Sequence, residues 1–292
     1  MNPEDRPGKP VRVRRILVPL DESAHSRAAL EAAAHLASAL GSEISGLYVE
    51  DADLLEFCRY PFAWEIGIYR SRRLSRDEVE RDFRTQAERL RQMMALTAAQ
   101  SRVSWNFSVR RGRVISEILE QTASADLTVI GRLGRSLLQS STGSTVRRLV
   151  EEGSAMILIL GRGLRMVSPV LTLYTGSELS GLALGAAVDL SLAVGRKTEI
   201  LIPADTESAY QKLRDRVLSA ASETPGSEGL HLRFRRIRTN TAAGLVTVMQ
   251  AEYRRPLVLP ADALDSDPQV ILDLISRVHN PILLVRQGGK KS

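Results

Sequence analysis

GRLGRSLLQSSTGST, residues 131–145, follows the apolar run Leu127, Thr128, Val129, Ile130 and leads into Val146, Leu149 and Val150. The order is strand, glycine-rich loop, helix. Such a loop lines up bare backbone N–H groups at a helix N-terminus, where the dipole and the unpaired donors favour an anion, most often a phosphate. Gly131 and Gly134 permit close approach, Arg132 and Arg135 add positive charge, and Ser140, Ser141, Thr142, Ser144 and Thr145 offer hydroxyls. Taken alone, the stretch fits an ordinary solvated loop equally well, so a second element has to agree with it.

That element lies upstream. Ile16, Leu17, Val18, Pro19 and Leu20 form an apolar run ending in Asp21, with Ser23 as helix N-cap, an alanine-rich helix over 24–40 and Gly41 as its C-terminal stop. A second strand covers 43–49, and 50–74 reads as irregular, with Phe57, Tyr60, Phe62, Trp64 and Tyr69 as a lid or a local cluster. Val79, Phe83, Ala87, Leu90 and Met94 recur at steps of four, four, three and four, one buried face of a long helix. A strand over 104–109, a turn at Gly112, a helix over 114–122, the strand ending at Ile130, a short helix to Glu152 and a strand over 156–160 complete the first half. Alternating strands and helices predict a parallel sheet covered on both faces, with ligands outside the carboxyl ends of the strands. Asp21 and Gly131 both stand at such ends.

The second half repeats the plan. Strands are expected at 170–174, 198–202, 230–237, 257–259 and 281–285, with helices at 178–194, 206–222, 242–253 and 268–278. VLTLYTGS aligns with ILVPLDES, and NPILLV with SAMILIL, giving two copies of about 140 residues. The expected division is 1–162 and 163–292. Thr175 replaces Asp21 in the second copy, and PADALDSDPQV, with Asp262, Asp265 and Asp267, replaces the glycine loop. Those acids repel phosphate, so the second copy is expected to be a structural partner without a phosphate site.

At 292 residues, 43% of them hydrophobic, the chain is long enough for two cores. Cys58 is its single cysteine, which excludes a disulfide framework or a cysteine-based metal site and suits a reducing cytoplasm. No apolar run has signal-peptide or membrane-span length. The net charge of +6 raises nucleic acid as a ligand, but the basic residues are interleaved with acids and lack aromatics between them, so that ligand is set aside.

With Asp21 closing the first strand and the glycine loop after the fourth, the chain resembles the universal stress protein family, as a tandem of two such domains. The resemblance rests on ILVPLDESAHSRAAL at 16–30, GRVISEIL and ADLTVIG within 112–131, GRLGRS and TGST. It implies two Rossmann-like, doubly wound α/β domains. In nucleotide-binding members the matching positions hold ATP, and here they are Pro19, Asp21, Val49, Ile130, Gly131, Gly134, Arg135, Gly143, Ser144 and Thr145. Mg²⁺ would arrive with the nucleotide. The resemblance also implies that the two copies pair through 156–160 and 281–285 as an intramolecular pseudo-dimer, with a homodimer and a protein partner as further expectations. Two departures stand out. The spacing from Gly134 to Gly143, eight residues, is one shorter than the family's usual pattern, and Glu22 adds an acid where many members have glycine.

The expected function is therefore an ATP-binding, cytoplasmic, stress-response regulatory module with nucleotide in the first domain only. Its alternative is a dimerising interaction module of the same fold without nucleotide. An enzyme is disfavoured: no Walker lysine, no SGG-type pyrophosphatase loop and no HIGH-like signature is present, and no GxGxxG follows the first strand. His25 reads as a solvent-facing helical histidine. His35, His231 and His279 have no partners at metal-ligand or triad spacing, and Cys58 reads as an incidental thiol.

Overall fold

In the first half β1 (Arg15–Pro19), α1 (Ala24–Leu40), β2 (Glu43–Asp51), α2 (Ala52–Phe57), β3 (Trp64–Ile66), β4 (Ser71–Arg73), α3 (Arg76–Ser101), β5 (Trp105–Gly112), α4 (Val114–Thr122), β6 (Leu127–Gly131), α5 (Ser144–Glu152) and β7 (Met156–Leu160) follow one another. The second half contributes β8 (Val170–Leu173), α6 (Glu178–Val194), β9 (Lys197–Pro203), α7 (Glu207–Ser222), β10 (His231–Ile237), α8 (Ala242–Gln250), β11 (Leu257–Pro260), α9 (Pro268–Arg277) and β12 (Ile282–Val285). The computed structural model describes residues 13–60, 64–66, 71–73, 75–132, 143–161, 166–222, 230–238, 241–264 and 267–286.

Among these residues ten strands form one sheet, in the order β10-β9-β8-β11-β12-β7-β6-β1-β2-β5. Read outward from the middle, both halves run in the same order. Pairing is parallel within each half, as buried runs such as MILIL and VLTL require when helices cover both faces. The one change of direction is at the centre. There β7 and β12 run antiparallel with Leu158 opposite Leu283, the arrangement a two-fold between like units demands.

The core follows the strand period of two. Leu158, Leu283, Ile16 and Val170 point to the face covered by α1 and α6. Ile157, Ile159, Leu284 and Leu171 point to the other face, against α5 and α9. Both clusters cross the central seam, so the halves share one core on each side. Each fully buried Leu or Ile contributes about 1.5–3 kcal/mol.

Segment 50–74 differs from its irregular reading. β2 continues to Asp51, whose carboxylate caps α2 by accepting the Asp53 N–H at 2.9 Å, and β3 pairs antiparallel with β4. Six helical residues and two three-residue strands are too short to show a period in sequence. β5 likewise runs on through Gly112, where a turn was expected, and α8 stops at Gln250. Phe62 and Tyr69 lie outside the described residues. Phe57 and Tyr60 are exposed and stand 6.5 Å apart, ring centre to ring centre.

Candidate functional site

The carboxyl ends of β1, β2 and β6 open into a cavity of about 730 Å³. Pro19, Asp21, Val49, Ile130, Gly131, Gly143, Ser144 and Thr145 all line it. Gly134 and Arg135, together with Ser140, Ser141 and Thr142, lie outside the described residues. Sequence reasoning did not single out Tyr48, Phe83, Gln86, Arg113 and Arg148, which also line the cavity. Phe83 had signalled burial through its helical spacing, but spacing within α3 does not say which strand ends that helix faces.

The β1–α1 connection is a local device. Asp21 Oδ1 accepts the Ser23 N–H at 3.0 Å, and Ser23 Oγ caps α1 by accepting the Ser26 N–H at 3.1 Å. Ser26 Oγ returns to the Asp21 carbonyl. Aspartate is thus placed at the strand end by turn chemistry, with one carboxylate oxygen engaged in the turn. Glu22 does not face the cavity as an isolated charge, because Arg89 of α3 stands 3.4 Å from it.

Gly131 is where α1 meets β6. A β-carbon built there would stand 2.6 Å from the β-carbon of His25, so only glycine allows the helix this close. His25 is therefore half-buried, not solvent-facing as its sequence reading had it. After Gly131, the Arg132 N–H donates to Leu160 O at 2.7 Å and the Gly143 N–H to Arg132 O at 3.0 Å, which returns the chain to the cavity. Arg132 is 9% exposed, and burial lowers its guanidinium pKa from the usual arginine value. Its Nη2 lies 3.5 Å from Asn280 O in the second half, and its Nε has no partner among the described residues.

α5 begins at Gly143 with no side-chain cap. Its first N–H groups, at Ser144, Thr145 and Val146, are those a helix cannot satisfy internally, and all three residues line the cavity. The corresponding helix of the second half is closed. Asp267 caps α9 by accepting the Gln269 N–H at 2.8 Å, and Pro268 at its first position has no N–H to offer.

The turn after β8 also differs from its counterpart after β1. Thr175 stands in for Asp21, its Oγ1 accepting the Ser177 N–H at 3.5 Å, while Ser177 caps α6 as Ser23 caps α1. Leu213 Cδ2 of α7 sits 2.7 Å from where a β-carbon of Gly176 would be, and Arg216 Nη1 lies 3.5 Å from the Gly176 carbonyl. Pro260 replaces Gly131: it pairs with Val285 as Gly131 pairs with Leu160.

A second cavity, of about 550 Å³, runs between β5 and α3 and is lined by Trp105, Phe107, Arg84 and Arg91. Its lining among the described residues includes no helix N-terminus. Among the described residues no group of three His, Cys, Asp or Glu could hold a metal ion, and no helix is long and apolar enough to cross a membrane.

Solved structures similar to this chain include a universal stress protein from Archaeoglobus fulgidus, 14% identical over 94% of this chain and 98% of that one, with a TM-score of 0.68. A putative universal stress protein from Pseudomonas aeruginosa is 13% identical over 94% of each chain, TM-score 0.56. The cytoplasmic domain of a prokaryotic cation chloride cotransporter is 10% identical over 96% of this chain and 97% of that one, TM-score 0.55. Likeness at such identity establishes the fold alone. No curated protein matches the sequence. The model of the universal stress protein family matches residues 12–161, just over half of the 292. By that match, which contains Asp21, Gly131 and the whole of α5, the chain belongs to the universal stress protein family.

Proposed function

We propose that the cavity at the ends of β1, β2 and β6 binds ATP and that the protein is a regulatory module with one nucleotide site, in a first domain of residues 1–162. The observation that carries this reading is the contrast between the two helix starts. α5 starts at Gly143 with no side-chain cap among the described residues and turns its first N–H groups, at Ser144, Thr145 and Val146, to a cavity, whereas α9 is capped by Asp267 and begins with Pro268. The triphosphate sits at the start of α5, where dipole and donors act together. The base and ribose lie toward Asp21 and Val49, and Mg²⁺ enters with the nucleotide, keeping most of its water. The second domain, residues 163–292, carries no nucleotide, a reading supported by the Asp267 cap and Pro268 at the start of α9 and by Arg216 at the Gly176 carbonyl. The protein acts through bound nucleotide and not by turning it over.

The test transplants the closed helix start onto the open one. Gly143→Asp with Ser144→Pro keeps α5 compatible with its backbone, because Gly143 is already extended, at φ −62° and ψ 151°. Calorimetry with ATP on the wild type is expected to give one site per chain, and the double variant is expected to lose it while remaining folded. A wild type that releases no nucleotide on denaturation and shows no heat with ATP supports the interaction-module reading instead.

A further inference from the structure

The far end of α5 is held by the second half of the chain. Arg286, just after β12, donates through Nη1 to Leu149 O at 3.0 Å, through the same nitrogen to Gly153 O, and through Nη2 to Val150 O. Leu149 O also accepts the Gly153 N–H at 2.9 Å, whereas Val150 O in the last turn of α5 and Gly153 O just beyond it stand where a helix has no internal donors left to offer. Near the start of α5, Arg132, whose carbonyl accepts the Gly143 N–H, brings its Nη2 to 3.5 Å from Asn280 O of the same half. Along its length, Arg147 Nη1 lies 3.3 Å from Gln269 Oε1 of α9.

We propose that Arg286 is a positioning residue for the phosphate end of α5, so that the second half completes an anion site in the first. The proposal rests on the nucleotide reading of that cavity. Two physical effects act through the helix. Three directed bonds fix α5 along its axis and about it, which sets where the N–H groups of Ser144, Thr145 and Val146 point. The guanidinium also offsets the negative pole of the helix, leaving the positive pole at the cavity uncancelled. With about 1.5 Å per residue, nine residues put that cation about 13 Å from the site, too far for contact but within reach of a field in a poorly screened interior. Arg286 is itself partly withdrawn from water, and burial lowers its pKa from the usual value.

The experiment is calorimetry on the full chain with ATP, inorganic tripolyphosphate and adenosine. Arg286→Met is expected to weaken ATP and tripolyphosphate about 3- to 30-fold and to leave adenosine unchanged. Arg286→Lys, which keeps the charge with fewer directed bonds, is expected to fall between, and it decides the matter if the methionine variant does not fold. Leu283→Ala, a seam variant remote from α5, is expected to lose stability with no change in affinity. Wild-type tripolyphosphate binding in both Arg286 variants, an equal loss for adenosine, or an equal loss in Leu283→Ala would overturn the assignment. A wild type that binds neither ATP nor tripolyphosphate overturns the nucleotide reading itself, a result distinguishable from the others.

Discussion

The backbone of His25 occupies the space that a side chain on Gly131 would need: a β-carbon there would stand 2.9 Å from both the carbonyl carbon and the oxygen of His25. Glycine at this position serves the packing of α1 on β6, whatever the loop beyond it binds. Gly131→Ala is expected to cost about 1–3 kcal/mol by overpacking, measured by urea denaturation of the nucleotide-free protein. An unchanged midpoint would mean that the contact relaxes and that the glycine serves the ligand alone.

Asp21 combines a local task with the proposed ligand task, and the second half separates them. Thr175 closes the same turn through a hydroxyl. Asp21→Thr is therefore expected to keep stability within about 1 kcal/mol while weakening ATP about tenfold or more, because only the carboxylate is lost. Equal affinity in the variant would remove Asp21 from the site.

The seam is a core feature. Leu158 and Leu283 are 0% and 4% exposed and face each other across β7 and β12. Each alanine variant is expected to cost about 2–5 kcal/mol. Because the two side chains share one space, the double variant should depart from the sum by at least about 0.5 kcal/mol. Strict additivity in urea melts would show that the pair is uncoupled.

Tyr174 supplies a pH signature for the second half. It is fully buried, and burial raises its phenol pKa, with Arg216 opposing. The folded value lies above the unfolded one, so the stabilisation is complete below the unfolded pKa of about 10 and declines as pH rises past it. Urea midpoints taken from about pH 9 to 11 should fall more steeply for the wild type than for Tyr174→Phe. Parallel curves would count against a phenol that resists ionisation.

Much of the cavity lining was legible in the sequence because its residues are placed by local rules. Asp21 and Ser23 follow from turn and capping chemistry, and Ser144 and Thr145 from the start of a helix after a glycine. The misses have a common origin. α2 and the β3–β4 pair are shorter than one period of any pattern, and His25 was read from a helix whose neighbour was not yet known. Arg132 read as a charge for the loop, yet its side chain is buried toward Asn280, 148 residues away in sequence.

The sequence by itself determined the alternation of strands and helices, the glycine at the start of α5 and the acid that stands there at α9, since each depends on side-chain period or on residues a few positions apart. Only the tertiary structure decided that the ten strands form one sheet with β7 against β12, that Leu213 of α7 packs at the Gly176 turn, and that Arg286 closes the end of α5 from 137 residues away. Contacts across such distances depend on which buried faces meet, and a run of apolar residues buried on both faces carries no mark of its neighbour.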